Sequence, residues 1–117
     1  MNWETQPGSI LWDLFASEVS FTANPNDHDR DVMTTWIAQL HDMGVNVASD
    51  PGIPEIRREV LQNLWDWDEA RRVDAYAAIQ TMPSDQLELA MQDYQGLIDH
   101  QQIITNLLAG NCIWWGN

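Results

Sequence analysis

Apolar side chains recur at three- and four-residue intervals between Ser84 and Gly110. This spacing matches one face of an α-helix, whereas a strand would require alternation every two residues. Ser84 follows a proline and predicts the N-cap, and Gly110 predicts the end of the helix. The sequence therefore predicts a long amphipathic helix that needs other helices to cover its apolar face. The apolar positions are Leu87, Ala90, Met91, Tyr94, Leu97, Ile98, Ile104 and Leu107.

Two earlier segments carry the same period. The first runs from about residue 10 to residue 21, with Ser9 as its predicted N-cap. The second is predicted to start with Asn24 as N-cap and Pro25 as the first helical residue, and to end at Gly44. Both segments predict amphipathic helices that contribute to one shared core.

The middle of the chain leaves two points open. Residues 44–54 are rich in turn-forming residues, yet Val45 and Val47 are compatible with one short extended segment near residues 45–47. The stretch 54–82 has a helical apolar period that the acidic run 66–68 interrupts, so it is compatible with one helix or two. We therefore predict an all-α protein, a single domain over residues 1–117 with about four to five helices.

Charge is the most unusual property of the composition. The chain has 18 acidic residues against five basic ones, all arginine, which gives a formal net charge of -13. Such a field repels nucleic acid and anionic lipid and attracts basic protein surfaces. We expect a basic, nucleic-acid-binding protein as partner, with no direct contact to nucleic acid and no membrane association.

The cysteine content and the N-terminal sequence favour a cytoplasmic location for the protein. Cys112 is the only cysteine, so no intramolecular disulfide can form, and the N-terminus lacks the basic start and apolar run of a signal peptide. The role of Cys112, and whether the tail with Trp114-Trp115 packs on the core, are not fixed by the sequence. Either a monomer or a homodimer fits.

One aspartate pattern resembles a calcium-binding loop but lacks its key positions. Asp27, Asp29 and Asp31 alternate as at the start of an EF-hand loop. Val32 stands where that loop requires glycine, and Ala38 stands where it requires glutamate. The pattern is more typical of an acidic helix N-terminus, which complements the helix dipole.

Catalytic and metal-binding patterns are missing from the sequence. His28, His41 and His100 are not spaced to place two ligands on one helical face. There is no Gly-x-Ser-x-Gly motif and no glycine-rich phosphate loop. We expect a protein that is not an enzyme and that uses no metal or other cofactor.

The segment Trp65-Asp66-Trp67-Asp68-Glu69 is the most informative for binding. Residues two apart on a helix point about 200° from each other, so both rings cannot face the same core. One tryptophan is expected to be partly exposed among carboxylates, which suits contact with a basic and partly apolar surface. The alternative is that both rings pack between helices.

Several acidic pairs have the spacing of neighbours on a helix. Side chains at i, i+4 lie about 5 to 6 Å apart, which is comparable with the charge spacing along a nucleic-acid strand. Asp27 with Asp31, and Glu55 with Glu59, have this spacing, and Asp66 with Glu69 are three apart. The predicted partner-binding residues are Asp27, Asp31, Glu55, Glu59, Trp65, Asp66, Trp67, Asp68 and Glu69.

These features favour an inhibitor that blocks a nucleic-acid-binding protein by imitating DNA or RNA. In size, charge and helix content the chain resembles the small acidic inhibitors that phages and plasmids use against restriction enzymes or CRISPR complexes. That likeness rests on no motif and implies no residue roles. Two alternatives stay open: an immunity protein or antitoxin that neutralises a basic nuclease toxin, and a non-catalytic helical adaptor domain.

The missing metal motifs generate a first prediction. Dialysis against a chelator should leave the melting temperature and partner binding unchanged, because no folding energy comes from a bound ion. Thermal melting followed by circular dichroism measures the first quantity. A large drop in melting temperature after chelation, restored by added zinc, would contradict this expectation.

Overall fold

The computed structural model describes residues 5–110, and this part of the chain forms four α-helices and no strand. Helix α1 comprises Gln6–Ala23, α2 comprises Asp27–Asp42, α3 comprises Ile53–Ile79 and α4 comprises Ser84–Leu108. The all-α prediction is confirmed, with four helices. The Trp114-Trp115 tail and Cys112 lie outside the described residues.

Helix α1 begins earlier than the sequence predicted. Thr5, rather than Ser9, is the N-cap, and its hydroxyl accepts a hydrogen bond from the backbone N–H of Gly8 at 3.2 Å. Pro7 lies in the first turn, where its missing N–H has no intrahelical partner to lose. Pro7 is therefore part of the start of α1.

The junction between α1 and α2 also differs from the prediction. Asn24 is the C-cap of α1, and its backbone N–H still bonds to the carbonyl of Ser20 at 3.0 Å. Asn26 is the N-cap of α2, and its side-chain oxygen accepts from the N–H of Asp29 at 2.8 Å. Pro25 separates the two helices because it has no N–H to continue the bonding of α1.

The short extended segment that the sequence left open near residues 45–47 is not a strand, and a turn occupies residues 47–49. The Asp50 carboxylate accepts from the backbone N–H of Asn46 at 2.9 Å, and the Asn46 side chain accepts from the N–H of Ala48 at 3.1 Å. These local bonds replace the strand partner that a single short segment would lack. They also direct Val47 into the core.

Helix α3 is continuous across the acidic run, so residues 53–79 form one helix. Asp66 points to solvent, and Asp68 forms an ion pair with Arg71 one turn later, so neither carboxylate disrupts the backbone bonding. Helix α4 begins at Ser84 itself, with Pro83 as N-cap. Gly110 follows its end with a positive φ of 101°, a conformation that glycine adopts without strain.

Helix α1 is the centre of the packing. Its backbone lies close to those of α2, α3 and α4, whereas the backbone of α2 lies close to that of α1 alone among the four described helices. Because α1 has several neighbouring helices, its buried residues cover a wide face, about half of its circumference at 100° per residue. Its buried hydrophobic residues are Ile10, Leu11, Leu14, Phe15 and Val19.

The core reaches only one end of the paired helices α3 and α4. Ile104 and Leu107 of α4 pack with Val19 and Leu61, and all four are buried. No residue between 70 and 98 is buried, and we call this part of the α3–α4 pair the arm. Met91, predicted to lie in the core stripe, is 54% exposed, because neither α1 nor α2 supplies core residues beside it.

None of the four helices in the described part of the chain is both long and apolar enough to span a bilayer.

The division between core and arm predicts unequal mutational effects along α4. Ile104→Ala removes a fully buried side chain from the centre of the packing, so it should lower the free energy of unfolding by about 2 to 5 kcal/mol. Leu89→Ala is the matched control, because Leu89 is 70% exposed and should have little effect. Urea unfolding followed by circular dichroism measures both. Equal losses would show that the arm carries as much packing as the core.

Candidate protein-binding surface

A row of polar side chains runs along the solvent side of α3. Glu55, Glu59, Gln62 and Asp66 are all exposed, and their spacing of four, three and four residues keeps them on one side of the helix. The row extends over about 16 Å, given the rise of an α-helix. The Gln62 side chain donates to the Asp66 carboxylate at 3.0 Å, which holds both groups in the row.

Trp67 follows Asp66, the last member of this row, and points about 100° around the helix from it. Its side chain is 58% exposed, although its ring contacts that of Trp12 from α1 with the centroids 5.3 Å apart and the planes tilted by 47°. Trp65 instead is half-buried and packs against the cluster around Leu61 and Ile104. The prediction that the two rings face different environments is confirmed.

Asp68 is not part of the exposed row. Its side chain is buried, and its two carboxylate oxygens contact Arg71 of α3 and the ring nitrogen Nδ1 of His100 on α4. The cause is helical geometry: Asp68 lies one turn after Leu64 and therefore faces the other helices rather than solvent. The run of three acids in sequence thus divides between solvent and interior.

Glu69 is also drawn toward α4. It forms an ion pair with Arg72, and Gln101 of α4 donates to its second carboxylate oxygen at 3.4 Å. The hydrogen bond from Arg72 is the largest influence and lowers the pKa of Glu69 from its ordinary value, although partial loss of water acts in the opposite direction. Arg72 in turn donates to the hydroxyl of Tyr94 at 3.2 Å. Glu69 therefore takes part in the α3–α4 contact as well as in the acidic surface.

The remaining predicted pair lies on another helix. Asp27 and Asp31 are exposed residues of α2, and Asp27 lies 3.8 Å from Arg30. Because the backbones of α2 and α3 do not approach each other closely within the described chain, this pair lies on a separate helix from Glu55, Glu59 and Asp66. The nine predicted residues therefore do not form one surface.

A buried ion pair between α1 and α3 was not predicted. Glu18 of α1 is fully buried, and both of its oxygens accept from the Arg57 guanidinium, with Nε at 3.0 and 3.1 Å. Arg57 also donates to the backbone carbonyl of Leu107, near the end of α4, at 3.2 Å. One arginine thus links three helices. A glutamate among the apolar residues Leu14, Phe15 and Val19 was the sequence signal for this contact.

Burial and pairing act on Glu18 in opposite directions. Loss of water is the larger effect and raises the pKa of this carboxyl, while the hydrogen bond and positive charge of Arg57 lower it. The net effect is a pKa of Glu18 above its ordinary value. The pair is therefore an internal structural contact that does not present its charge to a partner.

Most of the arginines form ion pairs with carboxylates of the same chain. Arg57 and Arg71 pair with the buried carboxylates of Glu18 and Asp68, and Arg72 pairs with half-buried Glu69. The acidic groups that stay exposed therefore outnumber the arginines near them. Beside the α3 row only Arg58 is an exposed base, and it belongs to the same helix turns as Glu55 and Glu59.

Residues 5–110 contain no group of three or more histidine, cysteine or acidic side chains arranged to hold a metal ion. Asp29, from the pattern that resembles a calcium loop, instead accepts hydrogen bonds from Asn26 and Ser20. These bonds, that from Asn26 first, lower the pKa of Asp29. Its carboxylate stabilises the junction between α1 and α2.

Comparison with models of protein families, with curated proteins and with solved structures finds no match to this chain.

The Glu18 contact predicts an unusual pH dependence. Because its folded pKa is raised, the stability contributed by Glu18 is largest below its ordinary value of 4.5 and is lost as pH rises through the folded pKa. The stability difference between the parent and Glu18→Gln should therefore shift against the parent as pH rises above 4.5. Urea unfolding at several pH values measures this difference.

Glu69→Gln is the control with the opposite sign. The lowered pKa of Glu69 means that its contribution is present above 4.5 and is lost as pH falls. A Glu18→Gln difference that moves in the same direction as the Glu69→Gln difference would contradict the raised pKa.

Replacement of the arginine gives a separate prediction. Arg57→Met should lower the free energy of unfolding by about 3 to 5 kcal/mol, because it leaves the buried carboxylate without its counter-charge.

Proposed function

We propose that this protein is a non-catalytic inhibitor that blocks a nucleic-acid-binding protein by placing the acidic side of α3 in its basic groove. The observation that carries the proposal is the exposed row of Glu55, Glu59 and Asp66 on one continuous helix, with Trp67 beside it. The row combines three carboxylates on one side of the helix, with the neutral Gln62 between Glu59 and Asp66, and an exposed aromatic ring.

The electrostatics of this surface suit a groove that accepts phosphates. Carboxylates four residues apart lie about 5 to 6 Å from each other, so a helix can present charges at intervals comparable with those of a nucleic-acid strand. The net charge of -13 attracts a basic partner from a distance and raises the association rate at low salt. Because α3 is already folded, ordering the row costs little entropy on binding.

Trp67 supplies the apolar part of the contact. Its ring is exposed but rests on Trp12, which limits its motion before binding. A flat, partly fixed ring next to a carboxylate can stack with a partner arginine while Asp66 contacts the same guanidinium. Tryptophan and arginine are also enriched among residues that dominate binding energy. We therefore expect the acids to govern association and Trp67 to govern dissociation.

The immunity-protein alternative uses the same surface and differs in the partner. An immunity protein would bind one toxic nuclease, whereas a nucleic-acid mimic would bind where the partner holds DNA or RNA. The two differ in whether nucleic acid and this protein exclude each other. The experiment below therefore includes competition with DNA.

The test is affinity capture by the immobilised full chain from a bacterial lysate at low salt, followed by release with excess double-stranded DNA. We expect captured proteins to be released by DNA and by high salt, because both compete for the same positive charges. Capture by Glu55→Gln with Glu59→Gln should be several-fold weaker. With a purified captured protein, this variant should slow association, and Trp67→Ala should mainly speed dissociation.

Asp27→Asn with Asp31→Asn is the matched control. It removes two carboxylates at the same four-residue spacing, but on α2, whose backbone does not approach that of α3 closely in the described chain. The α3 surface is the wrong assignment if both double variants weaken capture equally. A captured protein that binds this chain and DNA together would contradict the mimicry mechanism.

A further inference from the structure

The arm exposes an apolar face that the proposed inhibitor surface does not use. Val73, Tyr76 and Met91 are each between 52% and 54% exposed. Tyr76 contacts the ring of Tyr94 with the centroids 6.0 Å apart. Val73 lies three residues before Tyr76, and Met91 three residues before Tyr94, so these side chains belong to one contiguous face across both helices.

The face continues along α4 as a groove. This open groove has a volume of about 570 Å³ and is mostly apolar. Its lining residues are Ser84, Leu87, Glu88, Met91, Gln92 and Gln95. Two helices alone cannot enclose a core, and the absence of any buried residue between 70 and 98 shows that the arm lacks a second layer.

The size of the molecule indicates how much surface is left uncovered. Its accessible surface is 7292 Å², whereas a compact monomer of 13.4 kDa exposes about 6500 Å². The difference, roughly 800 Å², is close to what one partner contributes to a stable interface. The radius of gyration of 16.6 Å also exceeds the value of about 13 Å expected for a compact domain of this length.

The charge of the arm determines which molecule can cover it. Residues 70–98 hold two arginines against four carboxylates, so the arm carries a net charge of -2, whereas the rest of the chain carries -11. A basic partner is attracted most strongly to the more acidic surfaces elsewhere. Another acidic molecule of the same kind meets the least repulsion at the arm.

We infer that a second copy of this chain covers the Val73, Tyr76 and Met91 face, so that two arms form a four-helix bundle. A two-fold symmetric contact uses the same face of both copies, so each arm provides the layer that the other lacks. The contact is apolar at its centre and forms against the mutual repulsion of two chains of net charge -13. Added salt therefore strengthens it by screening that repulsion.

The test is the mass of the purified full chain, measured by sedimentation equilibrium over a range of protein and salt concentrations. We expect a concentration-dependent dimer whose dissociation constant falls at least several-fold as salt rises. Met91→Asp or Tyr76→Asp should abolish the dimer while the circular dichroism spectrum stays helical, because both side chains are exposed in the single chain.

Leu89→Asp is the matched control. Leu89 is 70% exposed and lies on the same arm, but it is two residues from Met91 and so points about 200° around α4 from it. It should leave the dimer intact. A chain that stays monomeric at every concentration and salt level overturns the inference, as does a dimer that survives Met91→Asp and Tyr76→Asp or is lost in Leu89→Asp. The measurement uses the purified chain alone, so its outcome is independent of the proposed inhibitor function.

Discussion

The contact between Glu18 and Arg57 determines how three of the four helices meet. Arg57 projects from α3, its counter-charge lies on α1, and the carbonyl of Leu107 that accepts its remaining bond lies near the end of α4. Apolar side chains alone tolerate small shifts between helices, but a fully buried carboxylate requires its donors in place. We therefore expect this contact to fix the position of α1 across the α3–α4 pair.

The sequence predicted a helix well where one periodic pattern of apolar residues dominates. The apolar period of α4 defined a helix whose observed bounds, Ser84–Leu108, match those expected within two residues. Helix starts were harder, because Thr5, Ser9, Asn24 and Asn26 are all good caps, and the choice depends on packing beyond the first turn. The continuity of α3 was undecidable from local propensity, since the buried Asp68 is paired with His100 of α4, distant in sequence, as well as with Arg71.

Helical periodicity also made part of the candidate surface predictable. Helical spacing correctly assigned Trp65 and Trp67 to different environments, and it predicted Glu55 and Glu59 to be neighbours on a helix. That Asp66 lies on the same side as this pair follows only from the continuity of α3. It could not show which carboxylates turn inward to meet arginines, because those partners are distant in sequence, as Glu18 and Arg57 are. Nor could it show that the backbone of α2, with Asp27 and Asp31, does not approach that of α3 closely in the described chain. Charge counting in sequence therefore overstates the continuity of an acidic surface.

The arm has a further consequence for local dynamics. Its backbone hydrogen bonds are shielded by one neighbouring helix and by no buried side chain between residues 70 and 98. Such segments open without unfolding the rest of the molecule, so their amide protons exchange with solvent faster than those of the core helices. Any molecule that covers the arm would slow this exchange and would lose part of its binding energy in ordering the segment. Affinity at the arm is thereby linked to how readily its two helices separate.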